Sequence, residues 1–154
     1  MILGVHHPAI SVPDMDAALA FYRDKLGFEP VMEIELPGGI EMMSRAFDLE
    51  EAGYKVAMLR KGNSCIELFE FTGDNVPAAD TKRPVDKHGI THICLAASDY
   101  AKDYAELQEA GVVFNTEPNG AAPSRWAYGR DPFGNVIELL EHDPASASAL
   151  NFEA

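Results

Sequence analysis

Ile66-Glu67-Leu68-Phe69-Glu70 and Ile137-Glu138-Leu139-Leu140-Glu141 are one phrase written twice, 71 positions apart. In each, apolar residues alternate with carboxylates, the period-two pattern of a strand with one buried face. Upstream, His7 and Asp14 match His92 and Asp99 at an offset of 85, and Gly27 falls on Gly111 after one deletion. The two offsets differ by 14, so the first half carries an insertion of about that length within 37–53, a loop or short lid helix.

The segments between these anchors repeat in the same order. Strand-like runs cover 5–12, 28–36, 54–60 and 64–71 in the first half, with a Gly62-Asn63 turn between the last two. In the second half they cover 90–96, 112–116, 125–130 and 135–141. Asp131-Pro132-Phe133-Gly134 joins the last pair, where Pro132 presets its own φ and Gly134 accepts a positive one. One helix interrupts each half. Met15, Ala18, Leu19, Tyr22 and Leu26 form one helical face, with Asp14 or Asp16 as cap and Gly27 as terminator. Tyr100, Tyr104 and Leu107 do the same over 99–110, ahead of Gly111. The pattern is β-α-β-β-β twice, an α+β fold of two modules at about 1–72 and 88–142 with a linker at 73–87. Residues 143–154 are small and polar, poor core material, and read as a flexible tail or an arm laid across a partner subunit.

Strand parity then sorts side chains by face. Ile10, Val12, Ile66, Leu68, Ile93, Leu95, Ile137 and Leu139 share one face, which is wholly apolar and belongs under the helices. His7, Glu67, His92 and Glu138 share the other with Ala9, Ser11, Cys65, Phe69, Cys94 and Leu140. Two imidazoles and two carboxylates on a partly buried face require a partner, and a divalent metal is the economical one. Nitrogen and hard oxygen donors suit Zn, Ni, Co, Mn or Fe and disfavour a soft thiolate metal.

Bulk properties narrow the function classes. Among 154 residues, 12 basic and 25 acidic side chains give a formal charge of −13, which repels phosphate backbones and anionic lipid. Nucleic-acid and membrane roles are therefore not expected. The N-terminal segment lacks a basic stretch followed by an apolar one, so a cytoplasmic location is expected. Two cysteines, Cys65 and Cys94, make no disulfide framework.

HHPAISVPDMDAALAFYRDKLGF at 6–28, GITHICLAASD at 89–99 and DPFGNVIELLE at 131–141 resemble the vicinal oxygen chelate superfamily. That group includes glyoxalase I, methylmalonyl-CoA epimerase, extradiol dioxygenases and the fosfomycin and bleomycin resistance proteins. The resemblance extends to about residue 142 and implies paired βαβββ modules, each an incomplete barrel. Together they form a cup around one metal, with helices on the convex side. Carried over by position, it implies His7, Glu67, His92 and Glu138 as metal ligands. This His-Glu-His-Glu set is similar to bacterial glyoxalase I. The epimerases commonly have Gln where this chain has Glu67, and extradiol dioxygenases have no carboxylate there. The implied activity is that of a divalent-metal-dependent lyase or isomerase, moving a proton beside a metal-bound carbonyl or enediolate of a small substrate. Glu138 is the favoured base and Glu67 a second acid/base. The alternatives are an extradiol-type Fe(II) dioxygenase and a metal-free binding protein of the bleomycin-resistance kind. A homodimer is expected, because modules in this superfamily pair within a chain or between chains.

Other residues are candidates of lower rank. Arg125, Trp126 and Tyr128, with Arg130, precede the final hairpin, where an arginine can clamp a substrate anion. Their inward face is not decided by pattern alone. Cys65, Cys94 and Phe69 lie on the histidine face and are candidates to line the substrate site. His6 is an alternative to His7 as ligand, His88 a loop residue and His142 a solvated one. Glu41, Arg45, Glu50 and Glu51 sit in the insertion, and Glu70 and Glu141 read as solvated carboxylates near strand ends.

Overall fold

Asp14 starts the first helix by accepting the amide hydrogen of Ala17 at 2.8 Å, satisfying a donor that the first turn leaves free. Asp99 does the same for the second repeat through Lys102 at 3.3 Å. The computed structural model describes residues 1–152, and they divide into two units, Met1–Ala79 and Asp80–Phe152.

The first unit runs β1 (Ala9–Ser11), α1 (Met15–Leu19), β2 (Glu29–Leu36), α2 (Glu41–Phe47), β3 (Gly53–Lys61) and β4 (Ser64–Thr72). Its open four-stranded sheet has the order β1-β4-β3-β2, with β1 parallel to β4 and the other pairs antiparallel. Helix α1 continues as wider π-type turns over Ala20–Lys25, where the Leu26 amide reaches back to the Phe21 carbonyl at 3.0 Å. The wider turn brings Phe21 inward beside Tyr22, at 3% and 0% exposure, so a stripe counted at 3.6 residues per turn missed Phe21. Ile10, Val12, Ile66 and Leu68 are buried together with Met15, Ala18 and Leu19, as the parity of the strands requires.

The insertion supplies α2, none of whose residues is buried. Phe47 at its end sets its ring edge-on against Tyr54, Phe69 and Phe71, at centroid distances of 5.5, 5.6 and 6.0 Å. The insertion closes at its base where Gly38 meets the Glu51 carbonyl so tightly that a Cβ would stand 2.2 Å from the oxygen.

The second unit runs β5 (Ile93–Ala97), α3 (Tyr100–Ala110), β6 (Val113–Phe114), β7 (Trp126–Arg130) and β8 (Val136–Glu141). The sheet order is β5-β8-β7-β6, again open, with β5 parallel to β8. The β7–β8 turn is held by buried Asp131, whose carboxylate accepts from the amides of Phe133 and Asn135 at 2.9 and 2.7 Å. Gly134 takes the positive φ of 90° that the turn needs, and a Cβ there would also collide with the backbone of Thr81.

Several expectations are corrected. The first strand is three residues long rather than spanning 5–12: Pro8 has no amide to pair and joins the ladder through its carbonyl, which accepts from the Glu67 amide at 3.0 Å. The fifth begins at Ile93, not 90, so both His7 and His92 sit just ahead of their strands. The run at 112–116 shrinks to Val113–Phe114, and Ile93 and Leu95 are half-buried rather than buried. His142 is half-buried, with the ring of Phe152 edge-on at 5.0 Å. Described tail residues form turns only, and the expectation for the tail extends to 153–154, which lie outside the described residues. No helix among the described residues is long and apolar enough to cross a membrane.

Candidate functional site

The strand ladders put each glutamate at the same place. Ala9 lies opposite Glu67 and Cys94 opposite Glu138, and the histidine of each repeat stands two residues before that partner. Each imidazole therefore reaches its own carboxylate. His7 Nε2 lies 3.2 Å from Glu67 Oε2, and His92 Nε2 lies 3.1 Å from Glu138 Oε2. All four side chains are partly buried, the glutamates 17% and 15% exposed.

The far nitrogen of each ring is also occupied. His92 Nδ1 meets Thr91 Oγ1 at 2.9 Å, and His7 Nδ1 meets His6 Nδ1 at 2.7 Å. With Nδ1 turned to the preceding residue, Nε2 is left facing the carboxylate, the arrangement that orients metal-ligating histidines. Sequence reading did not pick out Thr91, and it weighed His6 as a ligand rather than as a support for His7. The available signal was a polar residue directly before each histidine.

These spacings bear on whether a metal fits. Two donors about 2.1 Å from one ion, at tetrahedral or octahedral angles, stand about 3.0 to 3.4 Å apart. Each His–Glu pair has that separation, and its nitrogen and oxygen donors are of the type that divalent transition metals take. The same separation serves a charged hydrogen bond when the imidazole is protonated. Among the described residues, no three His, Cys, Asp or Glu side chains gather as a metal-holding group; they come together in twos.

Around Glu138 the structure adds further groups. Tyr128 stands directly across the antiparallel ladder from Glu138, and Trp126 stands across from Leu140. The Tyr128 ring is edge-on to His92 at 5.1 Å, and Trp126 is edge-on to Tyr128 at 5.5 Å. Desolvation, followed by the charge and hydrogen bonding of Glu138, pushes the Tyr128 hydroxyl up from the ordinary tyrosine range. Crowding around the sulfur, then the Glu138 charge, pushes the Cys94 thiol up to about 12, although the residue as a whole is exposed. Burial and the neighbouring Glu138 charge thus favour the neutral thiol of Cys94. In the first unit Met58 takes the place across from Glu67, and Cys65 and Phe69 flank Glu67 along β4.

Arg125 differs from the reading that made it a substrate clamp. It precedes β7 on the opposite parity, where its guanidinium is bound by Glu141 and lies over the Tyr100 ring at 5.0 Å. Glu141 and Glu70 are correspondingly not solvated. Glu70 accepts the Met15 amide at 2.6 Å and pairs with Lys55 at 3.1 Å, so each repeat fastens the start of its helix to the end of its strands. Arg130 shares the face of Tyr128, but its guanidinium donates to the carbonyls of Gly134 and Arg83 at 2.6 and 2.8 Å. The His88 carbonyl accepts from Arg83 at 3.1 Å.

Similar proteins match over most of this chain. The chain is 28% identical over 149 residues to a 2-epi-5-epi-valiolone epimerase of Actinomyces, covering 90% of this chain and 79% of that one. It is 31% identical over 144 residues to an ethylmalonyl-CoA/methylmalonyl-CoA epimerase of Cereibacter sphaeroides, covering 90% and 98%. A glyoxalase family protein of Bacillus cereus superposes with a TM-score of 0.79 at 24% identity, over 91% of this chain and 94% of that one. The model of the glyoxalase/bleomycin resistance protein/dioxygenase superfamily matches residues 4–139, spanning both His–Glu pairs, and the chain belongs to that family.

Proposed function

We propose that this chain is a divalent-metal-dependent isomerase of the epimerase kind, moving a proton at the carbon beside a carbonyl of a small substrate. The observation that carries the reading is the repeated pair, an imidazole and a carboxylate 3.2 and 3.1 Å apart at matching ladder positions. His7, Glu67, His92 and Glu138 would hold the metal, the two repeats belonging to one chain or to two copies in a homodimer. Members of the superfamily typically use a divalent metal, and Zn, Ni, Co, Mn and Fe all suit this donor set. When bound, such an ion supplies Lewis acidity that makes the hydrogen beside the carbonyl easier to remove.

The chain's own residues move the proton. A glutamate oxygen takes it as the C–H bond breaks, the electron pair passes toward the carbonyl oxygen, and a proton returned to the opposite face inverts the carbon. Glu138 and Glu67 are the two groups of suitable chemistry, one to remove and one to return. Cys65, Phe69, Cys94, Trp126 and Tyr128, on the same faces as the glutamates, would contact the substrate. The epimerase names of two relatives favour the isomerase over a lyase of the glyoxalase I type.

Elemental analysis of the purified protein, beside His7→Ala and Glu138→Ala, tests the metal. About one equivalent per site in the wild type, lost in both variants, is the expected result. Deuterium uptake from D2O at the α-carbon of an acyl thioester or cyclic ketone tests the chemistry. A folded protein that takes up no added metal and exchanges no α-proton overturns the reading.

A further inference from the structure

We infer that Arg60 is a specificity-determining residue that grips a carboxylate on the substrate, next to Glu67. The assignment rests on the reading of Glu67 as a site residue and comes from the two repeats compared row by row. In the first sheet Met58 stands across from Glu67, and Arg60 across from Cys65. In the second sheet Tyr128 stands across from Glu138, and Arg130 across from Val136. Cys65 and Val136 each precede the site glutamate by two residues, so the repeat puts an arginine at the same ladder position twice, on the glutamate face of each sheet.

The two arginines differ in what holds them. The Arg130 guanidinium donates to the carbonyls of Gly134 and Arg83 at 2.6 and 2.8 Å and serves the fold. Among the described residues, the Arg60 guanidinium meets only Glu29, at 3.9 Å, with the two side chains 58% and 78% exposed, and such a contact contributes little. The other cations of β3 lie on the opposite face or are bound within the fold: Lys55 pairs with Glu70, and Lys61 donates to the Leu26 carbonyl. Arg60 and Glu67 are diagonal cross-strand neighbours, whose Cα atoms stand about 7 to 8 Å apart, within the span of an arginine. Glu67 nevertheless pairs with His7 and not with Arg60. The guanidinium thus stands beside a carboxylate of the site with its donors not used by the fold, and its fork matches the two oxygens of a carboxylate. In a chain of charge −13, with Glu29 and Glu67 close by, a substrate anion is repelled unless a cation receives it. One guanidinium balances the single charge of a carboxylate rather than the double charge of a phosphate ester. The substrate class is therefore an oxo acid or a thioester bearing a carboxylate on or next to the carbon that loses its proton.

Nitrogen-15 NMR of the arginine side chains, on the protein as purified and again after EDTA treatment, tests the contact with acetoacetate as probe. Acetoacetate is expected to shift the Arg60 Nε–H signal saturably in both samples, whereas its methyl ester, which keeps the ketone but lacks the charge, is expected to leave it in place. Arg60→Gln is expected to weaken acetoacetate binding by about tenfold or more, read on the backbone amides around Glu67, and Arg60→Lys to restore only part of it. Arg23→Gln, which removes the same charge from a residue bound to Asp24, is expected to leave binding unchanged. No saturable shift at Arg60, equal binding in Arg60→Gln, or tighter binding of hydroxyacetone phosphate than of acetoacetate overturns the assignment. Binding that EDTA abolishes and Arg60→Gln leaves untouched belongs to a metal and also overturns it. Binding that survives EDTA and falls in Arg60→Gln supports the clamp even where elemental analysis finds no metal, so the clamp and the metal reading fail separately.

Discussion

Arg125 donates two parallel hydrogen bonds to the carboxylate of Glu141, at 2.9 and 2.6 Å, and the Arg125 amide adds a third at 3.2 Å. Lys55 and Glu70 occupy the equivalent positions across the first sheet. An arginine at this place in the sequence invites a substrate-binding role, but its fork geometry is matched inside the fold.

Hydrogen bonding from Arg125 holds the Glu141 carboxyl below the usual carboxylate range. A depressed folded value adds stability above the unfolded pKa and loses it as pH falls through the folded one. Arg125→Ala should therefore be less stable than wild type to urea at neutral pH, with the gap closing as pH drops below about 4. A gap of constant size across that range would show that Arg125 stabilises by packing on Tyr100 instead.

Leu68 and Ile137 are fully buried, each flanking a site glutamate from the opposite face of its strand. Truncation to alanine at either should cost about 2 to 5 kcal/mol in chemical denaturation. A loss under about 1 kcal/mol would mean that the helix settles into the space.

The Cys94 thiol, pushed up to about 12, should alkylate slowly despite its exposure. In a Cys65→Ser background at about pH 8, iodoacetamide should modify it two to three orders of magnitude more slowly than a free cysteine. The rate should keep climbing with pH, because the thiolate fraction grows until pH reaches the raised value. Glu138→Gln removes the adjacent charge and should speed the reaction.

Phe47 ties the insertion to Tyr54, Phe69 and Phe71 through ring contacts of a kind that contribute about 0.5 to 1.5 kcal/mol each. Phe47→Ala should raise hydrogen exchange across α2 by at least about tenfold, with global unfolding shifted far less. Equal loss of protection in α2 and in the sheet would make the insertion part of the core.

Glu138→Gln should keep the fold and lower proton exchange at the substrate carbon by about 10² to 10⁴. Normal exchange in a folded Glu138→Gln would remove Glu138 from the chemistry.

Pattern alone located the strands and helices, because alternation in the two Ile-Glu-Leu phrases and the i, i+4, i+7 spacing of Tyr100, Tyr104 and Leu107 are local consequences of backbone geometry. It also put His7, Glu67, His92 and Glu138 on one face by parity, whereas their division into a His7–Glu67 pair and a His92–Glu138 pair is seen only in the structure. Strand ends were less legible, because a ladder stops where its neighbour stops and not where hydrophobicity does. Phe21 escaped because a π-type turn changes the period that the stripe assumes.

The sequence by itself determined a duplicated βαβββ chain with an imidazole and a carboxylate per repeat, because face and period are written residue by residue. Only the tertiary structure decided the company each group keeps. Cross-strand register gave Glu138 a tyrosine and Glu67 a methionine, and it turned Arg125 to Glu141. Register depends on contacts between residues distant in the chain, and no local pattern carries that information.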